Sequence, residues 1–294
     1  MKQLSSSVIL ILLFGSFPVH SSSYYGVSIG ALHNEQGNVI ANVWLANSTV
    51  IQITEANLPT DVPHKFVLEK EGEVVEISDF YAVHGNGQRA YSSEVNGIDE
   101  LGNYARAFIV VPEGVDTFDS FGLFNTETQI TISSVDIEVD EPEPFCCLQS
   151  AINPTKGIIG KHYNVSTGPI KILDSKTFLI SSFSFEGTRA PDGWVYAGTG
   201  EVNQHSGHKL QVLGRDEEKH CALHEHYDGN TDIVARLPGQ LTVYDVEYLA
   251  IFCYQYDVDF GHVDLEQLKT DKISVPAYIP PLSSGPLKIP AKCD

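Results

Sequence analysis

Hydrophobic residues along this chain occur in short runs that alternate with polar positions or with turn residues, and helical periodicity is scarce. Runs rich in Val, Ile, Tyr and Phe that are bounded by Gly and Pro are typical of β-strands joined by turns. The clearest example is residues 234–265, where strand-like runs flank Pro238-Gly239 and the apolar run 249–252 ends in Cys253. This pattern predicts an all-β protein. Residues 216–226 are the best candidate for a helical turn, and they are equally compatible with a long loop.

The strand-like runs recur in the same order in both halves of the chain, which indicates a tandem repeat. Residues 26–30 correspond to residues 156–160, and residues 110–114 correspond to residues 235–239. Near the end of the first copy, Asn125 occupies the position that Cys253 occupies in the second copy. Repeats of roughly a hundred residues with many short strands are typical of β-sandwiches. The sequence therefore predicts two tandem β-sandwich modules, of which the first is the more divergent.

Composition shifts divide the chain into five predicted parts. Lys2, the apolar run 8–17 and the small residues that follow it are typical of a signal peptide. The acidic stretch 135–144 contains prolines, which favour an extended linker. From Pro276 onward five prolines predict an irregular end. The predicted parts are a signal peptide (1–23), a first β module (24–137), an acidic proline-containing linker (138–156), a second β module (157–268) and a proline-rich tail (269–294).

The charge balance excludes some classes of partner. The chain has 38 acidic against 18 basic residues, a formal charge of −20, which opposes binding to nucleic acid or to an anionic membrane. The apolar run 8–17 is too short to span a bilayer, and no longer apolar run follows it. We therefore expect a secreted, extracellular protein without a transmembrane segment. The acceptor sequons at Asn47 and Asn164 fit a secreted glycoprotein.

The cysteines of the chain all lie at or after residue 146. In an oxidising compartment most of them should pair, but an odd number leaves at least one thiol free or intermolecular. A disulfide-linked oligomer is therefore one of the alternatives. The spacing of the cysteines does not determine which of them pair. A clasp between the Cys146-Cys147 pair and Cys293 is one arrangement. The five disulfide candidates are Cys146, Cys147, Cys221, Cys253 and Cys293.

Several motifs of the second copy occur together in one known family. They are the glycine-bounded opening 157–160, Gly168-Pro169-Ile170, the aromatic turn 183–187, the Trp-containing strand 194–198, Tyr227-Asp228-Gly229 and the closing stretch 237–261 with Cys253. With these motifs the second copy resembles the DM-thirteen domain, which occurs in tandem in Skeletor-type and Knickkopf-type extracellular proteins. The first copy looks like a divergent member, because it lacks the glycines of the Trp-containing strand.

The resemblance implies an all-β extracellular module. In relatives it is often joined to a haem- or sugar-binding DOMON domain, and its characteristic cysteine has prompted a proposed redox role. Other relatives suggest a role in matrix and cuticle organisation. The two copies leave no room for a DOMON domain, so an electron-transfer partner is expected to be a separate protein.

Cys253 is the position that matches the family. For redox chemistry this thiol would need partial exposure and a cationic neighbour that lowers its pKa. The neighbouring residues Tyr254, Asp257 and Asp259 are aromatic or acidic, which favours a raised pKa instead. A disulfide with Cys221 or a buried structural thiol is the alternative to redox chemistry that the sequence favours.

Three histidines, His220, His224 and His226, form the densest set of metal-capable side chains. His220 and His224 would share a face if the segment were helical. However, the segment contains no HExxH motif and its spacing fits no standard site, so we expect a solvated polar loop with a Zn²⁺ or Cu²⁺ site as the alternative. No cofactor is predicted.

The acidic linker could bind Ca²⁺ weakly, but it lacks the spacing of an EF-hand, and a solvated linker explains it equally well. Trp44, Trp194 and Tyr196 lie in strand-like runs, so packing in the core is favoured over stacking on sugars.

No complete catalytic motif is present, and we do not expect an enzyme. The function that the sequence favours is a secreted, non-catalytic interaction or matrix-associated protein that binds an extracellular protein or glycan. The competing hypothesis is a redox accessory in which Cys253 exchanges electrons or disulfides with a separate haem-binding partner.

Overall fold

The computed structural model describes residues 23–58, 63–77, 79–84, 89–91, 98–280 and 291–292. Residues 1–22 of the predicted signal peptide and Cys293 lie outside the described residues. Almost all regular structure within these ranges is antiparallel β-sheet, as the alternation of hydrophobic and polar residues predicted. No helix in the described part of the chain is long and apolar enough to cross a membrane.

Ten strands lie in the described part of the first half of the chain. They are β1 (Val27–His33), β2 (Val39–Asn47), β3 (Val50–Thr54), β4 (His64–Lys70), β5 (Glu73–Ile77), β6 (Tyr81–Val83), β7 (Arg89–Tyr91), β8 (Arg106–Val110), β9 (Ser120–Asn125) and β10 (Ile130–Asp136). Two short 3-10 helices, Ile98–Asn103 and Val115–Thr117, flank β8.

These ten strands form what we call the first module. One sheet has the order β1-β2-β3-β8-β6-β7, and the other has the order β10-β9-β4-β5. Alternation along β2 explains the packing, because Val43 and Leu45 are fully buried in the core while the intervening Trp44 is half-buried on the other face. Phe66 of β4 and Phe121 of β9 meet in this core with ring centroids 5.4 Å apart.

Where the structure describes the second half, it contains the remaining strands and one short helix. They are β11 (Phe145–Leu148), β12 (Ile170–Asp174), β13 (Thr177–Glu186), β14 (Gly193–Gly198), β15 (Gly207–Lys209), β16 (Gln211–Val212), β17 (Lys219–His220), β18 (His226–Arg236), β19 (Tyr248–Cys253), β20 (Val258–Asp264), α1 (Glu266–Thr270) and β21 (Ala291–Lys292).

Strands β11 to β20, apart from β17, form the second module. Its two sheets have the orders β11-β12-β13-β18-β16 and β15-β14-β19-β20, and a separate hydrophobic core lies between them. All six residues of β14 and all six of β19 are buried, so the sheet that contains them is covered on both faces. The all-β prediction with two sandwich modules is therefore confirmed.

Two segments differ from their simplest sequence-based interpretation. Residues 216–226 contain no helix, and instead β17 pairs in parallel with β21. Within the range predicted as a linker, residues 138–144 carry no regular strand, whereas β11 is the edge strand of the five-stranded sheet. A strand can form there because Phe145 and Leu148 supply apolar side chains that pack against the core of the second module.

Residues 275–279, which we call the crossing segment, lie beyond α1 and pack on the first module. The backbone N–H of Ala277 donates to the carbonyl of Ala46 at 2.8 Å, and the Tyr24 hydroxyl donates to the carbonyl of Val275 at 2.8 Å. Ala277 is buried in a small cluster with Ala46 and Phe108. The part of the chain that follows the second module therefore completes a surface of the first.

Candidate functional site around Cys253

Cys253 is the last residue of β19 and lies in the core of the second module. It faces Gly193 on β14 and Val258 on β20 in the antiparallel ladder. Its side chain points inward because Leu249, Ile251 and Cys253 alternate along the strand toward the same core. The residue is only 1% exposed and its thiol is free. Of the two alternatives that the sequence favoured, the disulfide between Cys253 and Cys221 is therefore wrong, and the structure has the buried thiol.

Gly193, opposite Cys253, leaves room for an aromatic ring. A Cβ atom at this position would lie 2.5 Å from Cζ of Phe185, which is closer than any real contact of this kind. Phe185 is fully buried, and its ring centroid lies 6.0 Å from that of Phe260. The absence of a side chain at Gly193 thus allows Phe185 to fill the core beside the thiol.

Asp192 holds the turn that follows Cys253. Its Oδ2 atom accepts the backbone N–H of Gln255 at 2.8 Å, and its Oδ1 atom accepts the indole N–H of Trp194 at 2.8 Å. The Asp192 carbonyl also accepts the backbone N–H of Tyr254, at 3.2 Å. The turn after β19 is therefore tied to the beginning of β14, and this connection encloses the thiol.

The electrostatic surroundings of Cys253 disfavour the thiolate. Burial raises the pKa of the Cys253 thiol, and the charge of Asp192 raises it further, while backbone N–H groups of Tyr256 and Gln255 partly offset both effects. Within the described ranges, none of the groups that shift this pKa is a cation. A reactive cysteine needs the opposite environment, with access to solvent and a positive neighbour. The surroundings of Cys253 therefore favour the protonated thiol over the thiolate.

The outer face of the same sheet carries a second group of buried rings, which we call the outer aromatic cluster. Tyr196 and Phe252 stack with centroids 4.7 Å apart. The Lys209 ammonium lies 3.8 Å from the ring centroid of Trp194 and 4.0 Å from that of Tyr254, which are favourable cation–π distances. The members of the cluster are Trp194, Tyr196, Tyr248, Phe252 and Tyr254.

The polar atoms of this cluster are satisfied by a covering loop. The Tyr196 hydroxyl lies 3.2 Å from the carbonyls of both Asn203 and Gln204, and the Tyr248 hydroxyl is 2.7 Å from Oγ of Ser206. Tyr196 is fully buried, so it packs in the molecule and offers no face for a sugar ring. Sequence reasoning missed the cluster as a unit, although aromatic residues at alternate positions of β14 and β19 were a visible signal.

The remaining cysteines are placed as follows. Cys146 and Cys147 are joined by a disulfide within β11, which excludes the predicted clasp from this pair to Cys293. The physical reason is that neighbouring residues in this strand bond to each other and leave neither sulfur for a third cysteine. Cys221 is also in a disulfide.

An ion-pair network, which we call the Arg215 network, organises the segment that was predicted to be a polar loop. Arg215 pairs with Asp216, donates to the carbonyl of Cys221 at 2.9 Å and lies 3.2 Å from a carboxylate oxygen of Glu225. Asp216 is only 1% exposed, and its second oxygen accepts the backbone N–H of Val212 at 2.8 Å. The segment is thus fixed by a buried charge pair.

The three histidines that were considered as alternative metal ligands do not form a ligand set in the described part of the chain. Nε2 of His220 lies 2.8 Å from the carbonyl oxygen of Leu210, and the His220 ring packs edge-on against Trp194. His224 and His226 are exposed. In the ranges that the structure describes, no group of three or more His, Cys, Asp or Glu residues could hold a metal ion. This includes the acidic residues at 136–143 that were weighed as a Ca²⁺ site.

The two sequons differ in their environment. Asn164 is exposed, and its side-chain amide donates to Glu186. Asn47 is half-buried at the end of β2, where its Oδ1 atom accepts the backbone N–H of Thr49 at 2.9 Å. Attachment of glycans at either position stays a prediction.

Comparison with known proteins identifies the family of the second module. Residues 159–265, which include β12 to β20 and Cys253, match the family model described as "Electron transfer DM13". These residues are a DM13 domain. The resemblance that the sequence motifs indicated is thus confirmed for this part of the chain.

Curated relatives extend the similarity beyond the DM13 domain. The chain is 27% identical over 273 residues to Protein Skeletor, isoforms B/C, of Drosophila melanogaster, and 27% identical over 273 residues to isoforms D/E. Each alignment covers 87% of this chain, but only 32% and 17% of the two relatives, respectively. No solved structure matches the chain.

The first module repeats one detail of the DM13 domain in altered form. Asn125 ends β9, the strand that begins the last hairpin of the first module, as Cys253 ends β19 in the DM13 domain. The Oδ1 atom of Asn125 accepts the backbone N–H groups of Glu127 and Thr128, at 2.9 and 3.0 Å. Where the DM13 domain has a buried thiol, the first module therefore has a side chain that caps the next turn.

Proposed function

We propose that the protein is secreted and acts outside the cell as a non-catalytic binding or matrix-associated protein, in which the first module is a divergent DM13 domain. The observation that carries this proposal is the enclosure of Cys253, a residue that is 1% exposed and whose thiol has a raised pKa. A protein that worked through this thiol would need access to it. A packed, structural Cys253 instead fits a scaffold whose loops and edges bind partners.

Strand β5 offers a surface for such a partner. It is the last strand of the sheet β10-β9-β4-β5, and all of its residues except Ile77 are exposed. Val74 and Val75 are 41% and 47% exposed. An edge strand of this kind can pair with an extended segment of another protein by strand addition. Because Glu73 and the net charge of −20 favour positive partners, we propose an extended segment that carries basic residues.

The first experiment measures the thiol state of the purified, secreted protein. We expect an alkylating reagent to modify Cys253 only after unfolding, because the folded core excludes the reagent and the thiol is protonated. Peptide mapping identifies the modified residue, and a Cys253→Ala variant provides the blank. Fast alkylation of the native protein at neutral pH, with the pH dependence of a lowered pKa, would overturn the proposal.

Binding and secretion need separate tests. For binding, a Val74→Lys/Val75→Lys variant should lower the fraction of protein deposited in the matrix of expressing cells. Ile152→Lys, at a position that is 83% exposed and outside the named strands, serves as the control.

For secretion, N-terminal sequencing of the protein from the medium should place the mature start between Ser22 and Tyr24. Equal deposition of both variants, or an intact N-terminus, would contradict the respective part of the proposal.

A redox accessory is the second candidate, favoured by the match to an electron-transfer family and by the free thiol of Cys253. In this function the thiol would give one electron to the ferric iron of a separate haem protein and its proton to solvent, which leaves a sulfur-centred radical. Reduction of ferric cytochrome c, used as a probe, is the test. A rate that falls in Cys253→Ala supports this candidate, and equal rates reject it.

A further inference from the structure

We propose that the boundary between the two modules holds a binding site for one small oxyanion, a sulfate or phosphate group, formed by Arg106, Lys176 and Arg236. The site goes beyond the proposed function and does not depend on Cys253. It is defined by three positive side chains that different parts of the chain bring together.

Lys176 and Arg236 lie over the ring of Tyr278 in the crossing segment, and the Arg106 guanidinium carbon lies 5.0 Å from the ring centroid of Phe108, in the cluster on which this segment packs. Arg106 begins β8 of the first module, Arg236 ends β18 of the second, and Lys176 precedes β13. The Arg236 guanidinium carbon lies 4.7 Å and the Lys176 ammonium 5.4 Å from the ring centroid of Tyr278. Arg106 is close enough to interact electrostatically with both Tyr278 and Lys176. Residues that are distant in sequence therefore form one positive site.

Neutral acceptors are the hydrogen-bond partners of these cations. Arg106 donates to Oε1 of Gln52 at 3.2 Å, and Arg236 donates through Nε to Oγ1 of Thr177 at 3.4 Å. Lys176 donates to the carbonyl of Gly239. A guanidinium has five N–H donors, so most donors of both arginines remain for a ligand or for water.

The site has far fewer carboxylates than cations. Within the described part of the chain, none of the three cations forms an ion pair with a carboxylate at 4.0 Å or less. Asp174 is the nearby acid, and one of its oxygens accepts the backbone N–H of Lys176 at 2.8 Å. The whole chain has 38 acidic and 18 basic residues, so a site with three cations and one nearby acid has the opposite charge balance.

Without a ligand, the positive charges of Arg106, Lys176 and Arg236 repel one another. Burial lowers the pKa of Lys176, and the charges of Arg236 and Arg106 lower it further. Burial also raises the pKa of Asp174, the acid that lies near these cations within the described part of the chain. An anion between the cations would offset this repulsion, and its oxygens would accept hydrogen bonds from the free N–H groups of the cations.

The size and charge of the ligand follow from the surroundings. All three cations and Tyr278 are only half-buried, so a small group can reach them. A long polyanion would be repelled by the net charge of −20, whereas a single oxyanion meets mainly the local positive field. The arginine fork matches sulfate and phosphate oxygens with two parallel hydrogen bonds. The ligand is therefore a single sulfate or phosphate group, free or as an ester on a small molecule.

The test is a titration of the full secreted chain with low millimolar sodium sulfate or sodium phosphate, at ionic strength kept constant with sodium chloride. We expect a saturable rise in the unfolding temperature, because the ligand binds the folded state and joins both modules. Arg106→Gln and Arg236→Gln should lose this saturable rise, and their affinities measured by calorimetry should fall about tenfold or more. Arg189→Gln, at an exposed surface position, should behave as the wild type.

Several outcomes would overturn the site. A rise that is unsaturable, or that is equal in the wild type and both glutamine variants, reflects the general salting effect of sulfate and rejects the proposal. If a glutamine variant fails to fold, Arg236→Lys keeps the charge but loses the fork, and it should show weakened, saturable binding. Absence of saturable heat with the wild-type protein also rejects the site.

The two anions are distinguished by pH. A phosphate site binds more tightly as the second phosphate proton is lost around neutral pH, whereas sulfate affinity stays nearly constant over the same range.

Discussion

The carboxylate of Asp192 accepts the backbone N–H of Gln255 at 2.8 Å, and this bond closes the turn over Cys253. The other oxygen of the same carboxylate accepts the indole N–H of Trp194 at 2.8 Å. Asp192 thus connects the core, where the thiol lies, with the outer aromatic cluster on the opposite face of the sheet. Its negative charge is also one cause of the raised pKa of Cys253.

Replacement of Asp192 by Asn should loosen this turn. The variant keeps the shape of the side chain but weakens two charge-assisted hydrogen bonds, so we expect the free energy of unfolding to fall by about 1–2 kcal/mol. Native-state alkylation of Cys253 should become faster, because the turn opens more often and the carboxylate no longer raises the pKa of the thiol. Urea unfolding and mass spectrometry of the alkylated protein measure these effects.

Asp232→Asn is a matched control for this prediction. Asp232 is exposed and accepts the backbone N–H of Ser182 at 2.8 Å, and it lies on β18, in the sheet that does not contain Cys253. Its replacement should leave the alkylation rate of Cys253 unchanged. If Asp192→Asn also leaves that rate unchanged, then other contacts close the turn.

Gly193→Ala should strain the core beside Cys253. The new methyl group would overlap the ring of Phe185, and overpacking of this kind costs about 1–3 kcal/mol. A smaller neighbour should relieve the clash, so the double variant Gly193→Ala/Phe185→Leu should lose less stability than the sum of the two single variants. Thermal unfolding of all four proteins gives the coupling energy. Strict additivity would show that the two positions do not contact each other.

Arg215→Gln should have a large effect for a single change near the surface. It leaves the buried carboxylate of Asp216 without its counter-charge, which costs about 3 kcal/mol of unfolding free energy. Arg189 has an ion pair with Glu186 but a side chain that is 72% exposed. Arg189→Gln should therefore change the stability by less than about 0.5 kcal/mol. Similar losses in both variants, measured by urea unfolding, would contradict the role of the Arg215 network.

The outer aromatic cluster predicts a pH dependence in alkaline solution. Burial, and next the neighbouring Tyr248, raise the pKa of Tyr196 to about 12, whereas an unfolded tyrosine titrates near about 10. Because the folded pKa is the higher one, this contribution to stability is fully present below about pH 10 and is lost as the pH rises through about 12. Phenolate absorbance should show that Tyr196→Phe removes one late-titrating group. Loss of a group near pH 10 instead would contradict the burial of Tyr196.

Local sequence was sufficient for the strands but not for the surroundings of Cys253. Alternating residues and the Pro238-Gly239 turn are local signals, so the β-structure between residues 234 and 265 could be predicted. The acidic neighbours of Cys253 indicated the direction of its pKa shift. The causes that the structure shows are burial and Asp192, a residue 63 positions from Gln255 that meets it only because β14 pairs with β19. No local pattern specifies that pairing.

The proline-rich tail shows the same limit. Its composition predicted an irregular chain, and residues 271–280 carry no helix or strand, but residues 269–270 belong to α1 and residues 291–292 form β21. The contacts of Ala277 with the first module, and of Tyr278 with cations from both modules, depend on tertiary packing. Composition carries no information about such distant partners.

The crossing segment also has a consequence for how the protein is made. A ribosome releases the first module well before residues 275–279, yet the apolar cluster that contains Ala46 and Phe108 is complete only when Ala277 packs on it. The part that is synthesised first is therefore finished last, and until then it exposes an apolar patch that needs protection. Cutting the chain at the acidic linker would make that unfinished state permanent, so a fragment that contains only the first ten strands should aggregate more readily than the intact pair.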